Sequence, residues 1–387
     1  MKHRFKAFLF LLYFAQGIYG PYLVVFFSQK GFSGAQIGLM LGAMPISSIL
    51  FQPLWGYLSD ILHQRRILVL IGSLGVAAAS LGLFYAQSFW GALLFLILFS
   101  VMLAPIVPIN TAMVMDYLEE TGEPETFSLF RLWGSLGFGV SSILIAGLFL
   151  DKIHVYFGWF MVVNFLLLGG LNLTLPEGGQ SFSSLGGKGL GEILKNSEFM
   201  IFMAGSVMIG ATLGINLNYH ALHLQLLDVT PWLIGAIVSI QALVEIPFML
   251  MVPSLMRRFS LPLLILAGAV ALPVRWLLYI VLTEPVWIML AQIINGISTL
   301  SFFVVALSYV DQLVSPQWRA TGQSVYSVML WGFGSGLGAF IGGNFLDWFG
   351  VESVWYLSLV LGLIGLGLYL VGFGIRKRAE PGNTSKA

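Results

Sequence analysis

Twelve apolar runs, each of about 20 residues or more, divide this chain, with short polar breaks between them. They lie at 6–28, 36–58, 67–87, 90–115, 126–150, 154–174, 199–224, 231–255, 261–283, 286–311, 320–346 and 352–375. A helix of ~20 residues crosses the ~30 Å hydrocarbon core of a bilayer. It also satisfies its own backbone groups there, which an open strand cannot do. The runs are too long for barrel strands and show no alternation. Charged residues make up only 9% of the chain, against about 25% in soluble domains. So few charges cannot clothe a water-facing surface, and the expectation is an all-α integral membrane protein. The opening stretch MKHRFKAFLFLLYFAQGIYG imitates a signal peptide, but it passes Gly17, Tyr19 and Pro21 without a cleavage site and more apolar runs follow, so it is read as the first span. A net charge of +1 gives no hint of nucleic acid, and the absence of cysteine excludes disulfides.

Lysine and arginine give the orientation. With the N-terminus in the cytoplasm, one face carries Lys2, Arg4, Lys6, Arg65, Arg66, Lys188, Lys195, Arg257, Arg258, Arg319, Arg376, Lys377, Arg378 and Lys386, and the other only Lys30 and Lys152. This bias predicts a multi-pass protein of the cytoplasmic (inner) membrane with both termini inside. The Gly/Ser-rich break at 175–198 separates an N-terminal six-helix bundle, 1–174, from a C-terminal one, 199–375, followed by a short tail, 376–387. The halves echo each other. LWGSLGFGVSSILIAGLFLD (132–151) matches LWGFGSGLGAFIGGNFLD (330–347), and Arg65-Arg66 matches Arg257-Arg258. Both halves start on the same side, so the repeat is parallel, about an axis along the membrane normal. Arg131 breaks it, because its counterpart before the second Leu-Trp-Gly is Met329.

The loop FQPLWGYLSDILHQRR (51–66) resembles the signature loop of the major facilitator superfamily, with Gly56, Asp60, Arg65 and Arg66 in its positions. His63-Gln64 stand where the family has a glycine. Gly56 is expected to allow close helix packing, and Asp60 to end its helix. Four further stretches, PIVPIN, FRLWGSLGF, VEIPFMLMVPSLMRR and PVRW, are similar to the lactose permease and 3-phenylpropionate permease group. The resemblance implies the major facilitator fold: twelve helices in two pseudo-symmetric six-helix bundles. It also implies a transporter, and it does not single out a solute.

Charges at membrane depth cost about 2.5–3.5 kcal/mol on insertion scales and mark functional sites. Glu245 lies near the middle of the eighth run with no basic residue within a turn. A carboxyl poised between desolvation and a nearby cation suits proton coupling, the role the resemblance also implies. Arg275, central in the ninth run, cannot lose its charge and is expected to face Glu245 across a cavity. Arg131 enters the fifth run, and the resemblance implies that it holds solute. Asp116 closes the fourth run, ahead of Glu119, Glu120, Glu123 and Glu125, either pairing with Arg131 or ending the helix in water. His220 and His223, three residues apart near the outer end of the seventh run, titrate near neutrality, and His220 is a further coupling candidate.

Two departures from the group stand out. The tenth run carries Asn295 where the phenylpropionate branch has histidine, so that position cannot exchange a proton. Asn110-Thr111 replace an aspartate common among relatives. Gln16, Tyr19, Asn110, Asn218, Gln292 and Asn295 complete the candidate solute-binding set with Arg131 and Arg275. These readings converge on a monomeric proton symporter for a sugar, nucleoside or aromatic acid, with lipid and solute as its partners. A drug-efflux antiporter and a non-transporting sensor are the alternatives. No metalloprotease, P-loop or hydrolase motif occurs, and neither catalytic residue, metal nor cofactor is expected.

Overall fold

A computed structural model of the chain describes residues 1–62, 64–122, 127–177 and 195–379. The described residues are almost entirely helical. The first half holds α1 (Lys2–Gln29), α2 (Gly34–Leu62), α3 (Arg65–Tyr85), α4 in two pieces (Phe89–Leu103 and Ile106–Thr121), α5 (Phe127–Phe149) and α6 (Ile153–Asn172). The second holds α7 (Ser197–Leu226), α8 (Pro231–Arg258), α9 (Leu261–Val281), α10 (four pieces between Pro285 and Leu313), α11 (three pieces between Arg319 and Phe349) and α12 (Ser353–Ala379).

Local chemistry explains the breaks. Pro105 lacks an N–H and interrupts α4. The apolar stretch Leu129–Asn172 has 44 residues, about 66 Å if continuous, which is twice the bilayer core. The turn Leu150–Lys152 divides it into α5 and α6, so eleven long apolar stretches contain twelve spans. π-Helical turns at Ser301–Val305 and Val328–Gly334 distort α10 and α11, and such turns cluster at functional sites. The second piece of α4 ends later than its apolar run suggests. It continues to Thr121 and stops where Gly122 takes the left-handed conformation, φ 60°. Asp116 is therefore inside a helix rather than at its end.

Contacts divide the chain into two compact units. The first comprises Met1–Ser184, Leu217–Leu243 and Ala339–Val351; the second comprises Leu185–Asn216, Val244–Gly338 and Glu352–Ala387. The break at 175–198 falls mostly outside the described residues.

The first unit joins α2 and α5 to the ends of α11 and α8 that are sequence-distant from them. A Cβ on Gly38 would lie 2.9 Å from Ala339 O, Phe340 O and Gly343 Cα of α11. A Cβ on Gly235 of α8 would lie 2.7 Å from Ile143 Cα and 2.8 Å from Ser142 O of α5. One 197-residue shift converts each arrangement into the other, carrying Gly38 to Gly235 and Ser142 to Ala339. The same shift carries Tyr22 Oη, which donates to Ser142 O, to Tyr219 Oη, which donates to Ala339 O. Asp347 of α11 accepts from the N–H groups of Gly34 (2.5 Å) and Ala35 (2.7 Å), capping α2. Lys30 Nζ donates to the carbonyls of Leu83, Phe84 and Ala86, closing the orphan end of α3. Burial pulls its ammonium below the ordinary lysine value.

Candidate functional site

In the first unit the charge at membrane depth is Arg131. Its guanidinium lies over the ring of Tyr13, 3.7 Å from the centroid, close enough for a cation–π interaction. The side chain does not turn back toward the N-terminal end of α5. A Cβ on Gly134, one turn further along, would sit 2.5 Å from Tyr13 Cδ2 and 2.9 Å from Arg131 Nη1. Gly134 is thus the gap that the stack fills. Arg131 makes no hydrogen bond or ion pair among the described residues. Around the stack α1 presents Tyr13, Gln16 and Tyr19 at three-residue spacing, none with a side-chain hydrogen bond among the described residues. Tyr19 meets Phe99 edge-on at 5.4 Å. Asn110 on α4 is buried with neither amide atom hydrogen-bonded. Such a group carries a desolvation cost of about 1–3 kcal/mol.

The stack has no twin in the repeat. The 197-residue shift takes Tyr13 to Gly210, and the backbone of Leu330 fills the space where a side chain there would stand. In the Leu-Trp-Gly alignment, a shift one residue longer, Met329 replaces the arginine. The asymmetry visible in one residue of the sequence extends to both partners of the stack.

In the second unit Arg275 is fully buried (0% exposed). It makes no ion pair among the described residues. Three neutral acceptors hold it instead: Tyr279 Oη at 3.0 Å from Nε, Asn295 Oδ1 at 2.7 Å from Nη1 and Gln292 Oε1 at 2.6 Å from Nη2. Arg275 and Glu245, expected to face each other across a cavity, make no direct ion pair. Asn295 stands between them, with Nδ2 donating to Glu245 Oε1 at 3.1 Å. Thr299 Oγ1 donates to the same oxygen at 3.2 Å. The spacing explains the arrangement, since Asn295 and Thr299, like Arg275 and Tyr279, are four residues apart on one helix face. Gln292 is fully buried, its amide engaged by Arg275, Tyr279 and the carbonyl of Ile288.

Other candidates fall elsewhere. Asp116 pairs with Arg65 at 2.6 Å rather than with Arg131. The reason is that α4 continues past Asp116, which points that turn at the start of α3. Arg66 pairs with Glu177 and donates to the carbonyl of Leu173, bracing α3 against the end of α6. Close packing at Gly56 is not found, since no described atom lies within 4 Å of a Cβ placed there. The side chain of Asp60, together with Glu123, Glu125 and Lys188, lies outside the described residues. His220 and His223 are buried at 2% exposure. With half-buried Asn218 they belong to the first unit, whereas Glu245 belongs to the second. Among the described residues no three His, Asp or Glu side chains gather as a metal site.

Sequence reasoning passes over Tyr13, Tyr279 and Thr299. Each lies three or four residues from a chosen candidate, and that helical spacing is the signal that could have found them.

Residues 3–357 match the family model described as MFS_1 like family. The chain is 29% identical over 372 residues to the uncharacterized transporter YwbF of Bacillus subtilis, covering 94% of this chain and 92% of that one. It is 27% identical over 382 residues to the maltose permease of Geobacillus stearothermophilus, covering 96% and 94%. The crystal structure of the nucleoside transporter NupG superimposes with a TM-score of 0.86 at 22% identity, over 97% of this chain and 99% of that one. At that identity the likeness speaks for the fold, which is the twelve-helix major facilitator fold.

Proposed function

We propose that this chain, which belongs to the MFS_1 like family, is a proton-coupled secondary transporter that moves a small organic solute by alternating access. The observation that carries the reading is Arg131. A permanent cation on a membrane-spanning helix turns along that helix toward Gly134 and stacks on Tyr13. It finds no acceptor among the described residues, while Gln16 and Tyr19, without side-chain hydrogen bonds there, follow its stacking partner Tyr13 along α1. A scaffold gains only the cation–π stack from such an arrangement, whereas a binding surface for a hydroxyl-rich or anionic solute also uses the guanidinium's unspent donors. The solute is a sugar, a nucleoside or an aromatic acid. Glu245 carries the proton: as a carboxylate it takes one from outside, and as the carboxylic acid so formed it releases that proton inside. The protein works as a monomer in the cytoplasmic membrane with both termini inside. The bias of lysine and arginine supports that orientation. The mechanism calls for no metal or cofactor, the proton gradient being the energy source.

Purified protein tested against maltose, uridine and 3-phenylpropionate checks the reading. One of the three should raise the melting temperature by mass action and exchange across proteoliposomes. If none stabilises and none exchanges, the reading is wrong. For the active probe, Arg131→Lys replaces a planar fork with a point charge. Gly134→Ala pushes a methyl into the stack, and overpacking of this kind costs about 1–3 kcal/mol. Each should weaken the probe's Kd about tenfold, the factor that ~1.4 kcal/mol represents. Unchanged affinity in both would return Arg131 to a structural role.

A further inference from the structure

We propose that Asn295 is a positioning residue of the coupling site: its amide, oriented by Arg275, presents a fixed donor to Glu245 and holds that carboxylate as a hydrogen-bond acceptor. The inference rests on the reading of Glu245 as the proton carrier.

The orientation follows from donor chemistry. A guanidinium donates and never accepts. Nη1 of Arg275 lies 2.7 Å from one end of the Asn295 amide, so that end is the oxygen. The other end is then NH2, and it faces Glu245 Oε1 at 3.1 Å. Flipping the amide would set donor against donor at Arg275 and acceptor against carboxylate at Glu245. Thr299 Oγ1 donates to the same carboxylate oxygen at 3.2 Å and accepts from Asn295 Nδ2 at 3.3 Å. While both donors stay in place, Oε1 keeps its lone pairs for them.

Every link from the fixed cation to the carboxylate is therefore directional, and the link itself does not titrate. The groups that face Glu245 or its amide link come from several helices. Helix α9 brings Arg275 through Asn295, and Tyr279 through Arg275 and Gln292. Helix α10 brings the neutral Asn295 and Thr299. It approaches α8 closely at Gly296, where Phe248 fills the space a side chain would need. Helix α5 meets α8 at Ser239 and Leu243 through Gly139, with no titratable side chain at that contact. On α8 itself the next charges are Arg257 and Arg258, three turns away. A histidine or carboxylate at position 295 would add a second proton site to the link. Asparagine transmits position and leaves the proton to Glu245.

Asn295→Asp tests this, because it keeps size and an acceptor for Arg275 but sets a carboxylate oxygen, an acceptor and a second proton site, where the donor to Glu245 stood. The thermal unfolding of four purified proteins is compared: wild type, Asn295→Asp, Glu245→Gln and the double variant. The single Asn295→Asp should lower the melting temperature by about 3–5 °C, as expected when a hydrogen bond to a charged group is lost. The double variant should recover at least half, because Gln at 245 can then donate to Asp at 295. A steric role would give additive losses. In proteoliposomes, with whichever of maltose, uridine or 3-phenylpropionate the wild type exchanges, Asn295→Asp should cut uphill accumulation more than tenfold and exchange less than threefold. Additive melting shifts, or accumulation and exchange that fall together, overturn the proposal. If no probe is carried but the melting cycle is non-additive, the transport reading fails and the oriented amide stands. If a probe is carried and Asn295→Asp behaves as wild type, the reverse holds.

Discussion

Glu245→Gln abolishes accumulation of solute against its gradient while exchange between two sides loaded with the same solute continues. Glutamine has the shape of glutamate and can keep an oxygen where Asn295 and Thr299 donate to Oε1. It cannot ionise, so the only step removed is the uptake and release of a proton. The size of the effect follows from the gradient. One charge moving through 100 mV supplies ~2.3 kcal/mol, enough for about 50-fold accumulation at ~1.4 kcal/mol per factor of ten. The variant should equilibrate the probe and stop, at a ratio of about 1. The measurement is paired: uphill uptake of the active probe under an imposed potential and pH gradient, and counterflow without one. Accumulation by Glu245→Gln would show that another group carries the proton, and His220 would be the next to test.

Gly38→Leu drives apart the seam between α2 and α11. Its Cβ would meet three backbone atoms of α11, each at 2.9 Å, and backbone cannot move aside as a flexible side chain can. The strain of overpacking, about 1–3 kcal/mol, falls only on conformations in which the seam is closed. It should therefore shift the population toward the open seam by about tenfold or more. The chain contains no cysteine, so one introduced thiol reports without interference. Ser239→Cys is suited to this, because Ser239 is buried at 1% exposure and donates to Gly139 O at 2.7 Å in the matching α8–α5 seam. Labelling by a membrane-impermeant maleimide should be at least tenfold faster in the Gly38→Leu background. Equal rates would mean that the two seams do not open together.

Much of the candidate site can be read from the sequence. Arg131, Glu245 and Arg275 stand out because a charge in an apolar run is costly, whatever the fold. Arg131 stands out twice, since Met329 breaks the repeat at its position. The partners are less legible. Arg275 and Glu245 read as facing each other across a cavity, yet three neutral acceptors hold Arg275 and the Asn295 amide stands between the two. Helical spacing points to neutral neighbours such as Tyr279 and Thr299, but spacing alone does not say which of them bonds to which partner. Asp116 illustrates the same limit: one and a half extra turns of α4 turned a supposed helix end into a partner for Arg65.

The sequence by itself determined the solvent of this protein, the number of its spans and their division into two related halves. Those follow from run length, charge bias and repetition, each a property summed over many residues and insensitive to any one contact. Only the tertiary structure decided which atoms meet. It turned Arg131 along its helix onto Tyr13, set the Asn295 amide between Arg275 and Glu245, and paired Gly38 with α11 as Gly235 is paired with α5. Hydrogen bonds and close packing are decided over tenths of an ångström between segments far apart in the chain, and no pattern along a single helix encodes that distance.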